Sequence, residues 1–216
     1  MIRSFTFGEF AYLLAALRWT VALSAIAFAG GGLLGLLAAV MRVAPRRFAR
    51  LAAAGYIQLF HGTPLLMQIF VIYFGFSLFG LELSPLAAAS LVLTLFSGAY
   101  LGEIWRGCLE AVPRGQWEAA TALGLGFAKQ IRTVILPQAV PIAIPPTVGM
   151  LVQLVKSTSL ASIVGFVELT RAGQTVANAT FQPLAVFGVV GALYFLLCFP
   201  LSRWSRVLER KLERRR

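Results

Sequence analysis

Long apolar runs separated by short charged clusters dominate this chain. A bilayer core about 30 Å thick requires roughly 20 apolar residues of α-helix, so the uncharged stretches predict the spanning helices. The stretches that qualify are residues 19–41, 65–81, 83–102, 133–155 and 184–201. The pattern therefore predicts an all-α membrane protein with five spans.

Two of the apolar stretches are irregular. The 31 uncharged residues 51–81 are too many for one upright helix, and His61-Gly62-Thr63-Pro64 offers a break, since threonine caps and proline opens helices. Residues 48–60 are then a connecting helix. Residues 157–167 are apolar but only 11 residues long, which predicts a re-entrant or interfacial piece and not a span.

The fourth stretch contains several prolines, which predict a kink. The prolines are Pro137, Pro141, Pro145 and Pro146. A broken helix is tolerated within a membrane only where protein neighbours or a water-lined cavity satisfy the freed carbonyls. The fourth span is therefore expected to line a cavity.

Composition excludes a soluble globular domain, because 59% of the residues are hydrophobic and only 12% are charged. The 19 basic residues lie in short blocks between apolar stretches, which is typical of topology signals and not of a nucleic-acid surface. Fifteen of them fall on one side of the predicted spans, which places the amino terminus outside and the carboxyl terminus in the cytoplasm. The basic tail 203–216 is expected to lie at anionic lipid headgroups.

The segment between the third and fourth spans has its own helical signals. Residues 117–123 form helices readily, and Gly124 follows at a usual stop position. A helix this short is marginal in water, so it needs a partner surface. The partner is either another protein or the membrane surface.

This segment resembles the EAA loop of binding-protein-dependent ABC importer permeases. The matching residues are Glu118, Ala119, Ala120, Gly124, Leu136 and Pro137. Further segments resemble the polar amino acid branch of that family, and the likeness covers roughly residues 15–205. These segments are residues 61–66, 97–100 with Glu103 and Arg106, and 156–160. One departure is His61, where many relatives carry arginine.

The resemblance implies one type I ABC transmembrane domain over residues 1–216, with five helices and the orientation given above. It implies a multi-pass protein of the bacterial inner membrane that pairs with a copy of itself or a paralogue. The loop at 107–132 would form a coupling helix that docks on a cytoplasmic ABC ATPase. An extracytoplasmic binding protein would deliver an amino acid. The chain lacks the GxxxxGK[ST] phosphate loop, so it is expected to be neither an enzyme nor a holder of a cofactor.

Polar residues near or within the spans are candidates for the substrate path. They are Ser97, Tyr100, Glu103, Arg106, Lys156, Ser157, Thr158 and Ser159. Glu103 and Arg106 share a helix face and form either a structural ion pair or part of the path. Ser97 and Tyr100 either line that face or join helices. The cation and hydroxyls of residues 156–159 suit a carboxylate, or they cap the segment that follows.

Two other function classes remain as alternatives. An ion-coupled secondary transporter would use Glu103 and His61 as a proton relay, but no internal repeat is visible. A membrane enzyme would need a catalytic constellation, and the chain has no aspartate, one histidine and two distant cysteines. Outside the spans, Glu168 and Arg171 are three residues apart and are expected to form a solvated pair.

Overall fold

The computed structural model describes residues 5–213, with side chains up to residue 210, and this part of the chain is helical without a strand. Nine α-helices follow one another within residues 5–213. They are α1 (Phe7–Val43), α2 (Arg47–His61), α3 (Leu65–Leu78), α4 (Pro85–Glu110), α5 (Arg114–Ala122), α6 (Phe127–Gln130), α7 (Leu136–Ser157), α8 (Leu169–Thr180) and α9 (Pro183–Glu213). A π-helical segment, Ile131–Ile135, leads into α7, and a 3₁₀ segment, Thr158–Val164, follows it. Part of the predicted basic tail, Lys211 and residues 214–216, lies outside the described side chains.

The helices long and apolar enough to cross a membrane agree with the predicted spans. In the described chain they are α1, α4, α7 with its preceding turns, and α9. The predicted second span corresponds to α3, which has only 14 residues and bends by 99° from α2; the two helices together are long and apolar enough for a broken span or a re-entrant loop. The predicted all-α membrane fold is confirmed.

Helix α1 begins twelve residues before the predicted start of the first span. Thr6 and Glu9 form a capping box at its amino-terminal end, which fixes the start at Phe7. The helix then continues through Arg18, whose guanidinium lies over the Trp19 ring at 5.8 Å. Charge spacing alone therefore underestimates the length of α1, because a single arginine does not end a helix.

Small residues bring α1 and α4 close together over most of their length. A Cβ atom added at Gly31 or Gly35 would lie about 3.0 Å from backbone nitrogen atoms of α4. Ser97, fully buried here, donates a 2.8 Å hydrogen bond to the Ala27 carbonyl of α1. This pair forms the scaffold against which α2, α3, α7 and α8 pack.

The break between α2 and α3 falls where His61-Gly62-Thr63-Pro64 predicts it, and Gln68 stabilises it. The Gln68 amide nitrogen donates to the Phe60 carbonyl and to the Thr63 carbonyl, both at 3.0 Å, and to the Thr63 hydroxyl at 2.8 Å. These bonds satisfy carbonyls that a continuous helix would have paired. Gln68 was not singled out from the sequence, where it is one polar residue within an apolar run.

Helix α7 remains helical through Pro141, Pro145 and Pro146. The Ser205 hydroxyl of α9 donates a 2.8 Å hydrogen bond to the Pro145 carbonyl, which ties the two antiparallel helices together at this point. The irregular backbone lies at the two ends of α7, in the π-helical and 3₁₀ segments. The 3₁₀ segment ends at Gly165, whose φ of 85° requires glycine, and it is too short to span a membrane, as predicted.

Candidate functional site

The short helix α5 lies at one end of the bundle, and one of its faces packs against the other helices. Trp117 packs against a cluster of α4 and α7 that contains Leu109 and Ala139. The Gln138 amide of α7 donates to the Gln116 side chain at 3.2 Å. These contacts order a helix that would be marginal alone.

The other face of α5 is exposed. Glu118 and Ala119 are open to solvent, whereas Ala120 is only 2% exposed and faces the bundle. Leu123, just after the helix, is 77% exposed. An anchored helix with an exposed acidic residue, an exposed small residue and an exposed leucine is suited to docking on another protein.

Gly124 ends this helix in the left-handed conformation that its position predicts. Its φ is +70°, its N–H donates to the Thr121 carbonyl at 2.9 Å, and the next N–H, that of Leu125, donates to the Ala120 carbonyl at 3.2 Å. The Gln130 amide then donates to the Leu125 carbonyl at 2.7 Å and stabilises the turn that leads the chain back toward α7. The chain is thereby directed into Leu136, half-buried beside α5, and exposed Pro137.

A charged cluster lies on α4 toward the same end of the bundle. The Arg106 guanidinium makes two bonds to the Glu103 carboxylate, at 3.0 and 2.5 Å, and a further one to Glu110. The predicted pairing of Glu103 with Arg106 is therefore present, and the group is partly exposed. One turn before Glu103, the Tyr100 ring lies 4.1 Å from the His61 ring, between centroids.

The remaining candidates lie at the far end of α7. Lys156 is exposed, and Ser159 donates a 2.7 Å hydrogen bond to the Lys156 carbonyl. Ser157 and Thr158 are buried, at 8% and 0% exposure. At 1.5 Å per residue, the 22 residues of α7 separate this group from the α5 end of the bundle by about 30 Å.

The expectation for Glu168 and Arg171 is wrong. Glu168 is fully buried, and its carboxylate accepts the backbone N–H of Arg171 at 2.9 Å, while the Arg171 guanidinium bonds Gln174. Glu168 is the N-cap of α8, between the fourth and fifth spans. Burial raises the pKa of its carboxyl, and the backbone N–H groups of Thr170 and Arg171 oppose that rise. Spacing of three residues indicates a surface pair only when both side chains reach solvent.

Comparison with known proteins matches this architecture. A family model described as "binding-protein-dependent transport system inner membrane component" matches residues 31–214. The L-cystine transport system permease protein of Bacillus subtilis is 36% identical, covering 91% of this chain and 84% of that one. The glutamine transport system permease protein of Escherichia coli K12 is 35% identical over 91% and 90% of the two chains.

A solved structure shows the same fold. It is described as an amino acid ABC transporter with histidines, and its chain superposes with a TM-score of 0.86 at 30% identity, covering 97% of this chain and all of that one. The family model covers most of the chain, and both permeases align over nearly their whole lengths. The chain therefore belongs to the binding-protein-dependent transport system inner membrane components, the permease subunits of ABC importers.

Proposed function

We propose that this chain is the membrane-spanning subunit of an ATP-driven importer of a polar or charged amino acid. The observation that carries the proposal is the exposed face of α5, anchored between α4 and α7 where a cytoplasmic ATPase would dock. Relatives named for cystine and glutamine transport support amino acid cargo. ATP hydrolysis belongs to a separate subunit.

The proposed setting is the inner membrane of a bacterium, with the amino terminus outside and the carboxyl terminus in the cytoplasm. This orientation rests on the excess of basic residues in the segments beside α5, in the α1–α2 connection and in the tail. It places α5 in the cytoplasm and Lys156 toward the outer face. A second permease subunit, copy or paralogue, and an extracytoplasmic binding protein complete the proposed assembly.

The proposed coupling residues are those at the α5 end of the bundle. They are Glu118, Ala119, Ala120, Gly124, Leu136 and Pro137. Glu118 and Ala119 would face the ATPase, whereas Ala120 and Leu136 would hold the helix on the bundle, in keeping with their burial. A push on α5 would then reach α4 and α7 through the Trp117 cluster.

The proposed path uses Tyr100, Glu103 and Arg106 near the inner half and Lys156 and Ser159 near the outer end. Ser97 would support the path indirectly by holding α1 and α4 together, because its hydroxyl donates a hydrogen bond to the Ala27 carbonyl. Ser157 and Thr158 would present only backbone atoms to the path, because their side chains are buried.

The function is tested by uptake in proteoliposomes. The chain is reconstituted with an ABC ATPase and an extracytoplasmic binding protein as partners. Uptake of radiolabelled amino acids is measured with ATP enclosed in the vesicle lumen, on the side of the ATPase, and the binding protein outside. We expect uptake that requires both ATP and the binding protein. Uptake driven by a proton gradient without ATP would instead favour the secondary transporter that uses Glu103 and His61.

The cargo contact is tested by Lys156→Ala. Loss of an exposed cation near the outer end of α7 is expected to lower uptake of a carboxylate-bearing cargo roughly ten- to a hundredfold, since a hydrogen bond to a charged group contributes about 1.5 to 3 kcal/mol. Arg171→Ala is the matched control, because it removes another exposed cation that bonds only Gln174 among the described residues. Equal uptake by both variants, at equal levels in the membrane, would remove Lys156 from the path.

A further inference from the structure

Glu168 is a fully buried carboxylate that pairs with no basic side chain among residues 5–210. Its Oε1 atom accepts the N–H of Arg171, and its Oε2 atom accepts the N–H of Thr170, each at 2.9 Å. Oε2 also accepts the Tyr194 hydroxyl of α9 at 2.9 Å. The two backbone bonds cap α8, and the third bond reaches a different helix.

The same carboxylate is joined to α1. The Thr20 hydroxyl of α1, fully buried, lies 3.5 Å from Glu168 Oε2 and accepts the N–H of Leu169 at 3.2 Å. A polar group buried at this depth is stable only while its partners remain in place. The amino-terminal end of α8 is therefore fixed against both α1 and α9.

The same tyrosine also contacts the end of α7. The Tyr194 hydroxyl lies 3.1 Å from the Thr170 hydroxyl, and the Tyr194 side chain packs against the cluster of Val152, Val155 and Cys198. Thr158, the first residue of the 3₁₀ segment, is fully buried, and its hydroxyl donates a 2.7 Å hydrogen bond to the Val155 carbonyl. Tyr194 thus joins Glu168 to the part of α7 that leads into the outer candidate group.

We propose that Glu168 is a positioning residue for transport, which holds the start of α8 against α1 through Thr20 and against α9 and the end of α7 through Tyr194, and thereby limits access of Ser159 to the outer solution. The role of Ser159 in the path rests on the proposed function. Glu168 itself does not touch cargo, because it is buried. Its effect is exerted through the backbone that carries residues 156–159.

A helix cap alone would explain only part of this arrangement. Capping needs the bonds to Thr170 and Arg171, and neither involves the Tyr194 hydroxyl. Tyr194→Phe keeps the cap and removes the link to α9, so it separates the two roles. Tyr73→Phe is the matched control, since for Tyr73 the structure shows ring packing against Phe74.

The test measures how fast an impermeant maleimide labels a cysteine at position 159. Ser159→Cys is introduced with Cys108 and Cys198 replaced by alanine, and the complete transporter is labelled in proteoliposomes. We expect Tyr194→Phe and Glu168→Gln to accelerate labelling roughly two- to tenfold, the change in an opening equilibrium that loss of one buried hydrogen bond produces. Tyr73→Phe is expected to label at the parent rate.

Unchanged labelling in Tyr194→Phe, at normal membrane levels, would overturn the proposal. Tyr194→Phe alone tests the proposal if the Glu168→Gln variant does not accumulate in the membrane. Labelling does not depend on transport, so this outcome is distinguishable from failure of the proposed path. A path without Lys156 would leave uptake unchanged in Lys156→Ala, while the labelling rates would still report on Glu168.

Discussion

Glu118→Lys and Gly124→Val are expected to abolish ATP hydrolysis stimulated by the loaded binding protein, while both variants still insert into the membrane. Glu118 is exposed at the middle of α5, which begins at Arg114, so lysine there reverses the charge offered to the ATPase. Hydrolysis and retention of the ATPase subunit during purification are the measurements. Coupling is lost because the docking surface is altered, although the spans are intact.

Gly124→Val acts by backbone strain alone. No atom lies within 4 Å of a Cβ placed at Gly124, so the substitution meets no steric obstacle from neighbours. Its φ of +70° is nevertheless a conformation that costs a side-chain-bearing residue about 1 to 2 kcal/mol, and more with a β-branched side chain. Relief of that strain would move Leu125 away from the Ala120 carbonyl and displace the exposed face of α5.

The control for this pair is Gly126→Val, two residues farther along the chain. Gly126 also has open space around its Cβ position, but its φ is −67°, which valine adopts without strain. We expect normal stimulated hydrolysis in Gly126→Val. If Glu118→Lys and Gly124→Val both kept normal hydrolysis and uptake, α5 would not be the coupling element.

Local signals predicted the elements whose ends are determined by adjacent residues. The His61-Gly62-Thr63-Pro64 break set the end of α2 to within one residue, and Gly124 ended α5 in the expected conformation. Proline and glycine determine their own backbone angles, so such ends can be read from the sequence. The start of α1 lies before the predicted span because an arginine such as Arg18 does not prevent a helix from continuing.

Glu168 was misplaced because distant residues determine its environment. Its partner Thr20 is 148 positions away along the chain, and Tyr194 is 26 positions away. Nothing in the local sequence distinguishes a carboxylate that caps a buried helix from one that pairs with Arg171 in solvent. Gln68 was missed for a similar reason, since its role appears only once α2 and α3 bend by 99°.

The proposed coupling residues and the proposed path residues differ in how far the sequence predicts their positions. The spacing from Glu118 to Pro137 is a continuous local pattern, and the structure places these residues around one end of α7. The path residues come from separate segments, and the structure divides them between the two ends of the bundle. Ser97 is committed to α1, so polarity within a span did not by itself indicate a path-lining residue.

Gly35→Ala is expected to destabilise the folded chain, whereas Gly32→Ala is expected to leave its stability unchanged or to raise it. A Cβ at Gly35 would lie 2.8 Å from the Leu101 Cβ and 3.0 Å from the Gly102 nitrogen, whereas at Gly32 the nearest atom, on Trp105, is 3.8 Å away. Gly35→Ala should therefore cost about 1 to 3 kcal/mol by overpacking. Gly32→Ala should be neutral or stabilising by up to about 1 kcal/mol, since alanine favours the helix.

The measurement is the thermal unfolding midpoint of each purified variant in detergent, followed by the fluorescence of the tryptophans. A double-mutant cycle with Leu101→Gly identifies the cause of a loss. Leu101→Gly is itself destabilising because the Leu101 side chain is fully buried, so the cost of Gly35→Ala is compared between the parent and the Leu101→Gly background. That cost should be smaller in the Leu101→Gly background without vanishing, because the Gly102 nitrogen and the Gly98 carbonyl, 3.0 and 3.1 Å from the new Cβ, belong to the backbone of α4 and stay in place. A Gly35→Ala variant as stable as Gly32→Ala would show that α1 and α4 do not require this close approach.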